Sequence, residues 1–144
     1  MKQSENEFEE QDRRIAAVIG EDDAGAAGRW FSHLRANLSL PCEVTGSEDF
    51  QWEEPYALGV WSQTEYRKLQ KTQPSYRDIF ILESIQEKAH SEWAMFADDI
   101  GANVRRKSDG ARFILGLCEI RAVKEDRRNQ QLFVDYSCWF VNYR

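Results

Sequence analysis

The sequence predicts an α+β fold, with N-terminal helices packed on a small, curved antiparallel sheet and a C-terminal helix completing the domain. Three observations predict it. Residues 8–38 carry apolar side chains at helical spacing, residues 76–120 hold short apolar runs broken by an Asp-Gly turn, and the aromatic-rich end returns to helical spacing. A sheet of about five strands of this kind can curl into an SH3-like barrel. Residues 1–23 read as a charged N-terminal segment, helical or frayed, and residues 24–144 as a single α+β domain without internal repeat or linker.

Within the N-terminal segment, Phe8, Ile15, Val18 and Ile19 are the sparse apolar positions of a helix. The run Gly20-Glu21-Asp22-Asp23 breaks it, and its acids suit the start of the next helix. That helix carries the stripe Trp30, Phe31, Leu34, Leu38 and is stopped by Pro41. The alternation at Cys42-Glu43-Val44 predicts an entering strand. Residues 52–61 read as extended and partly buried, and residues 62–70 as a short helix capped near Ser62 or Thr64. A strand is expected from Tyr76 through Gln86, apolar on both parities over part of its length. Another is expected near Ala94–Phe96. Asp109-Gly110 then marks a hairpin, followed by a strand with Phe113, Leu115 and Leu117 on one face. Leu132, Tyr136, Trp139, Phe140 and Tyr143 match a docked C-terminal helix, with a strand for the last six residues as its competitor.

The formal net charge of −6 argues against a general nucleic-acid binder, which needs clustered Lys and Arg to displace counterions. The basic runs Arg105-Arg106-Lys107 and Lys124 to Arg128 are short and mixed with acids, so each reads as a solvated face. No run is long enough to span a membrane. Three widely spaced cysteines, Cys42, Cys118 and Cys138, together with a start that lacks a basic-then-apolar signal, predict reduced thiols in a cytoplasm.

Five carboxylates, Glu43, Glu48, Asp49, Glu53 and Glu54, fall within twelve positions. Phe50, Trp52 and Tyr56 interleave with them, between Pro41 and Pro55. Aromatic burial would anchor the backbone there, and anchored carboxylates suit a hard, oxygen-seeking cation such as Ca²⁺. Glu48, Asp49, Glu53 and Glu54 are the preferred ligands, with Glu43, Asp98 and Asp99 behind them. The site would not be an EF-hand, because Asp22-Asp23-Ala24-Gly25 lacks the loop spacing and the closing glutamate. The two histidines, His33 and His90, have no zinc-ligand spacing. Cys42 with His33 lacks any feature that would activate the thiol. Glu53, Glu54 and Asp98 could supply paired carboxylates, but no deep cleft is expected on so small a sheet. Trp52, Tyr56, Trp61, Trp93 and Trp139 could line a groove, although core packing is the favoured reading.

Five segments carry a resemblance: FSHLRANLSLPCEVTG, EDFQWEEPY, LQKTQPSYRDIF, SDGARFILGLCEIRAV and the terminal DYSCWFVNYR. Over residues 29–144 the chain resembles a family of small acidic bacterial proteins associated with the cyanobacterial calcium-binding protein linked to heterocyst differentiation. The resemblance implies calcium binding through an acidic protein surface. The expected function is therefore a non-enzymatic cytoplasmic protein that binds Ca²⁺ weakly, as buffer or sensor. The alternative is an interaction module whose acidic and aromatic face takes a basic protein partner.

Overall fold

The computed structural model describes residues 2–20, 24–123 and 125–143, the first four of them by backbone alone. Two helices lead, α1 (Lys2–Ile19) and α2 (Ala26–Asn37), and strand β1 (Cys42–Gly46) follows. A 3-10 turn (Gln51–Glu53), a single helical turn α3 (Glu54–Ala57) and helix α4 (Gln63–Leu69) come next. Strands β2 (Phe80–Gln86), β3 (Gly101–Arg106) and β4 (Arg112–Gly116) then run in succession. A second 3-10 turn (Leu117–Glu119) leads to β5 (Ile120–Ala122), and α5 (Arg127–Tyr143) ends the chain.

The α+β class is as expected, but the sheet is open. Its order is β4-β3-β2-β1-β5, each neighbouring pair antiparallel, so β4 and β5 are edges. An SH3-like barrel does not close, because the link between the two edges sends its hydrogen bonds elsewhere. Leu117 N donates to Ile100 O, and Glu119 O accepts from Ser47 N, both at 2.9 Å. The edge at β5 is covered by α5, where the Gln130 side chain accepts from Ala122 N at 2.8 Å.

Helices α1, α2 and α5 share one core with the sheet. Trp30 and Leu34 of α2 meet Phe133, Tyr136, Trp139 and Phe140 of α5, all buried. The spacing of those α5 residues explains why the C-terminal segment is a helix: as a strand they would alternate between faces. Asp126 Oδ1 accepts from Asn129 N at 3.2 Å and caps the first turn. In α1, Ile15 is buried with the core while Phe8 is 67% exposed. Burying full apolar side chains such as these is worth roughly 1.5–3 kcal/mol each.

Several expected elements are displaced. Residues 52–61 are not extended: Pro55 at the start of α3 favours helical dihedrals. Ala94–Phe96 lies in turns, not a strand. The strand expected from Tyr76 begins at Phe80, because Ser75 and Asp78 close a turn (Ser75 N to Asp78 Oδ2, 2.9 Å; Asp78 N to Ser75 O, 3.0 Å). A bulge after Leu82 shifts register, so Ile85 joins the core side with Phe80 and Leu82 instead of the opposite parity. The Asp109-Gly110 hairpin stands as expected, with Gly110 at φ +77°, where glycine avoids a Cβ penalty. Ser62 caps α4 by accepting from Glu65 N at 3.3 Å. The Gly20–Asp23 break and Lys124 of the second basic run involve residues outside the described ones. Among the described residues, no helix is long and apolar enough to cross a membrane.

Candidate functional site

The acidic segment folds around one of its own members. Glu53 is fully buried, and each of its carboxylate oxygens accepts two hydrogen bonds. Oε1 takes Ser75 Oγ at 2.6 Å and Tyr66 Oη at 3.0 Å. Oε2 takes Tyr76 N at 2.9 Å and Phe50 N at 3.1 Å. A carboxylate has about four lone-pair positions, so Glu53 is saturated and offers nothing to a cation. Trp52 adds an anchor, its indole donating to Pro74 O at 2.7 Å, while Tyr56 and Tyr66 stack at 5.2 Å.

The other members of the segment do not converge. Glu43 forms an ion pair with Lys107 across the sheet. Glu48, Asp49 and Glu54 are exposed. Asp98 is exposed and lines a cavity with Lys88 and Tyr143, whereas its neighbour Asp99 is buried. Among the described residues no three acidic, histidine or cysteine side chains gather as a preformed metal cage.

A second acidic centre does form, through a residue the sequence analysis did not single out. Asp99 Oδ1 accepts from Tyr136 Oη at 2.6 Å, and Oδ2 from Cys118 N at 3.1 Å. Glu119 Oε2 accepts from Met95 N at 3.1 Å. Gly116 lies between the two acids: a Cβ there would be 2.5 Å from both Asp99 Oδ2 and Glu119 Oε2. Only glycine lets two carboxylates close on this strand end. Burial, with the Asp99 charge as a further cause, pushes the Glu119 carboxyl up to about 6. Burial likewise raises Asp99, against the hydrogen bonds from Cys118 and Tyr136. Among the described residues, neither acid has a Lys, Arg or His partner within salt-bridge distance. The 2.9 Å bond from Ser47 N to Glu119 O brings the loop carrying Glu48 and Asp49 alongside.

The fold resembles that of Anabaena CcbP. Similarity to that crystal structure has a TM-score of 0.56 at 17% identity, over 92% of this chain and 89% of the other. A second solved structure, described as a calcium binding protein in the calcium-binding form, gives 0.55 at 18% identity, over 92% and 90%. The resemblance read from the sequence is thereby borne out at the level of fold, and over more of the chain than residues 29–144. No protein-family model matches, and no curated protein does.

Two further expectations meet the structure here. Cys42 is buried, which raises its thiol to about 11, the opposite of an activated nucleophile. Arg106, read as part of a solvated basic run, is 2% exposed. Its guanidinium donates to Asp109 and Asp78 and to the carbonyls of Gln70, Lys71 and Gln73, tying the α4–β2 loop to the hairpin. An arginine beside a DG turn, with five donors to place, was the available signal.

Proposed function

We propose that this chain binds Ca²⁺ weakly, as a non-enzymatic buffer or sensor, and that the Asp99–Glu119 pair is the centre of the site. The observation that carries the reading is the pair itself: two carboxylates flanking Gly116, with no cation among the described residues within salt-bridge distance of either. Two like charges so placed repel, and a proton or a cation relieves the repulsion. Calcium takes six to eight oxygen ligands, so two carboxylates, the neighbouring Glu48 and Asp49, and water suit it better than they suit Mg²⁺. Among the described residues no third acidic, histidine or cysteine side chain converges on the pair, so Glu48 and Asp49 would have to move in, which fits weak binding. Similarity to a calcium binding protein in the calcium-binding form supports the choice of ion. Of the ligands expected from sequence, Asp99, Glu48 and Asp49 remain in the proposal, while Glu53 is committed to structure. Calorimetry and amide-shift titration at low salt test it. Ca²⁺ should move amides at 47–49, 95 and 116–119, and E119Q should weaken binding at least tenfold. A titration to millimolar Ca²⁺ that moves none of them ends the proposal.

A second reading, an acidic and aromatic face for a basic protein partner, is favoured by one observation. Leu58, Val60 and Trp61 are 72%, 71% and 53% exposed, four to seven residues after exposed Glu54. An apolar knob beside a carboxylate suits a basic amphipathic segment. The variant E54K/W61A should lose such a partner while keeping calcium binding; unchanged capture from lysate counts against this reading.

A further inference from the structure

Helices α1, α2 and α5 border an open cleft of about 560 Å³. This is the size of a small-molecule site. Its apolar wall is Ala17, Val18, Trp30 and Leu132. Its polar wall is unlike the rest of an acidic chain. It carries Arg14, Arg127 and Arg128, with Asp135 as the single carboxylate.

That carboxylate is already occupied. Asp135 is 4% exposed and accepts Arg14 Nε at 2.7 Å, Arg14 Nη2 at 3.1 Å and Gln11 Nε2 at 3.2 Å. Arg14 and Asp135 therefore cancel. Arg127 and Arg128 are exposed, and among the described residues neither guanidinium has a carboxylate partner within salt-bridge distance. His33 adds a donor. The Asn37 amide nitrogen, which can only donate, lies 3.3 Å from His33 Nδ1, so a neutral ring carries its proton on Nε2. The cleft thus joins an apolar wall to an imidazole N–H and two guanidiniums that have no carboxylate partner among the described residues, on a chain of net charge −6.

We propose that the cleft between α1, α2 and α5 binds an amphiphilic anion, a flat apolar body bearing one carboxylate. Guanidinium forks match a carboxylate bidentately, and the body would cover Val18, Trp30 and Leu132. This site lies on other elements than the Asp99–Glu119 pair and does not rest on the calcium reading.

The test is calorimetry and amide-shift titration of the full chain with 2-naphthoate, its neutral counterpart 2-naphthylmethanol, and acetate. Naphthoate should bind at least tenfold tighter than either comparison compound and shift amides near Val18, His33 and Leu132. R127E/R128E, at exposed positions, should weaken naphthoate at least tenfold. A17W fills the cleft without changing charge and should abolish binding, with circular dichroism confirming that both variants fold. Equal affinity for naphthylmethanol, no naphthoate binding at millimolar concentration, or unchanged affinity in folded R127E/R128E or A17W overturns the proposal. Calcium titrations of the same variants should be unaffected, which separates failure here from failure of the calcium reading.

Discussion

Glu53, fully buried, and the pair of buried Asp99 and half-buried Glu119 are both acidic centres, yet they differ in how their charge is met. Glu53 receives four donors drawn from three parts of the chain, Phe50, Tyr66 and the Ser75-Tyr76 turn. Asp99 and Glu119 are placed against each other across Gly116, with fewer donors. Glu53 acts as a structural clasp because its lone pairs are filled. The pair retains acceptor capacity and mutual repulsion, which a proton or a cation would relieve. Burial of a carboxylate therefore says little about cation binding until its donors are counted.

The contrast can be broken most severely at the clasp. Glu53→Ala should cost about 3–5 kcal/mol, since it strands four donors, three of them in a buried cluster. Urea denaturation measures the loss, and any residual folded protein should still bind Ca²⁺. Next comes Gly116→Ala. Its Cβ would meet both carboxylates at 2.5 Å, and about 1–3 kcal/mol of overpacking should accompany loss of calcium-dependent amide shifts.

Glu119→Gln should act in the opposite sense on stability. It removes the like charge, so the calcium-free protein should gain roughly 1–2 kcal/mol at neutral pH while calcium affinity drops. A gain in urea midpoint together with a weaker calcium isotherm is the expected signature; a loss of stability would mean that the carboxylate is already compensated.

The pH dependence follows from the same group. A raised carboxyl means that the folded state holds its proton more tightly than the unfolded chain does. Its contribution to stability is full below the ordinary value of 4.5 and is lost as pH rises through about 6. Thermal midpoints of the calcium-free protein should carry this downward component across that window, and it should be absent from E119Q. Saturating Ca²⁺ should offset it above pH 6, where binding no longer competes with the proton. The smallest effect is expected at Glu54, exposed on α3, where Glu54→Gln should change stability by less than about 0.5 kcal/mol.

Much of this architecture could be read in one dimension because its causes are local. The Asp109-Gly110 hairpin, the Ser62 cap, the Trp30-Leu34 stripe and the α5 aromatics each follow from dihedral preference or periodicity. Elements depending on distant partners were misread. Residues 76–78 stay out of the strand where Tyr76 N donates to Glu53 and the Thr45 hydroxyl donates to the Tyr76 and Asp78 carbonyls, and Ile85 faces the core because of a bulge against β3. In the sequence, density of charge marks Glu43 through Glu54, whereas Glu119 is a single acid at the end of an apolar run.

By itself the sequence determined the main helices, the Asp109-Gly110 hairpin and an acidic segment anchored by aromatics. Periodicity, turn residues and composition act over a few positions and leave their mark in any short window. Tertiary structure decided which carboxylate would be saturated and which left exposed to another charge. Glu53 meets donors 13 and 23 residues away, and Asp99 meets Tyr136 at a separation of 37. Charge compensation is a matter of distance in space, and no local pattern encodes which donors the folded chain brings to a given oxygen.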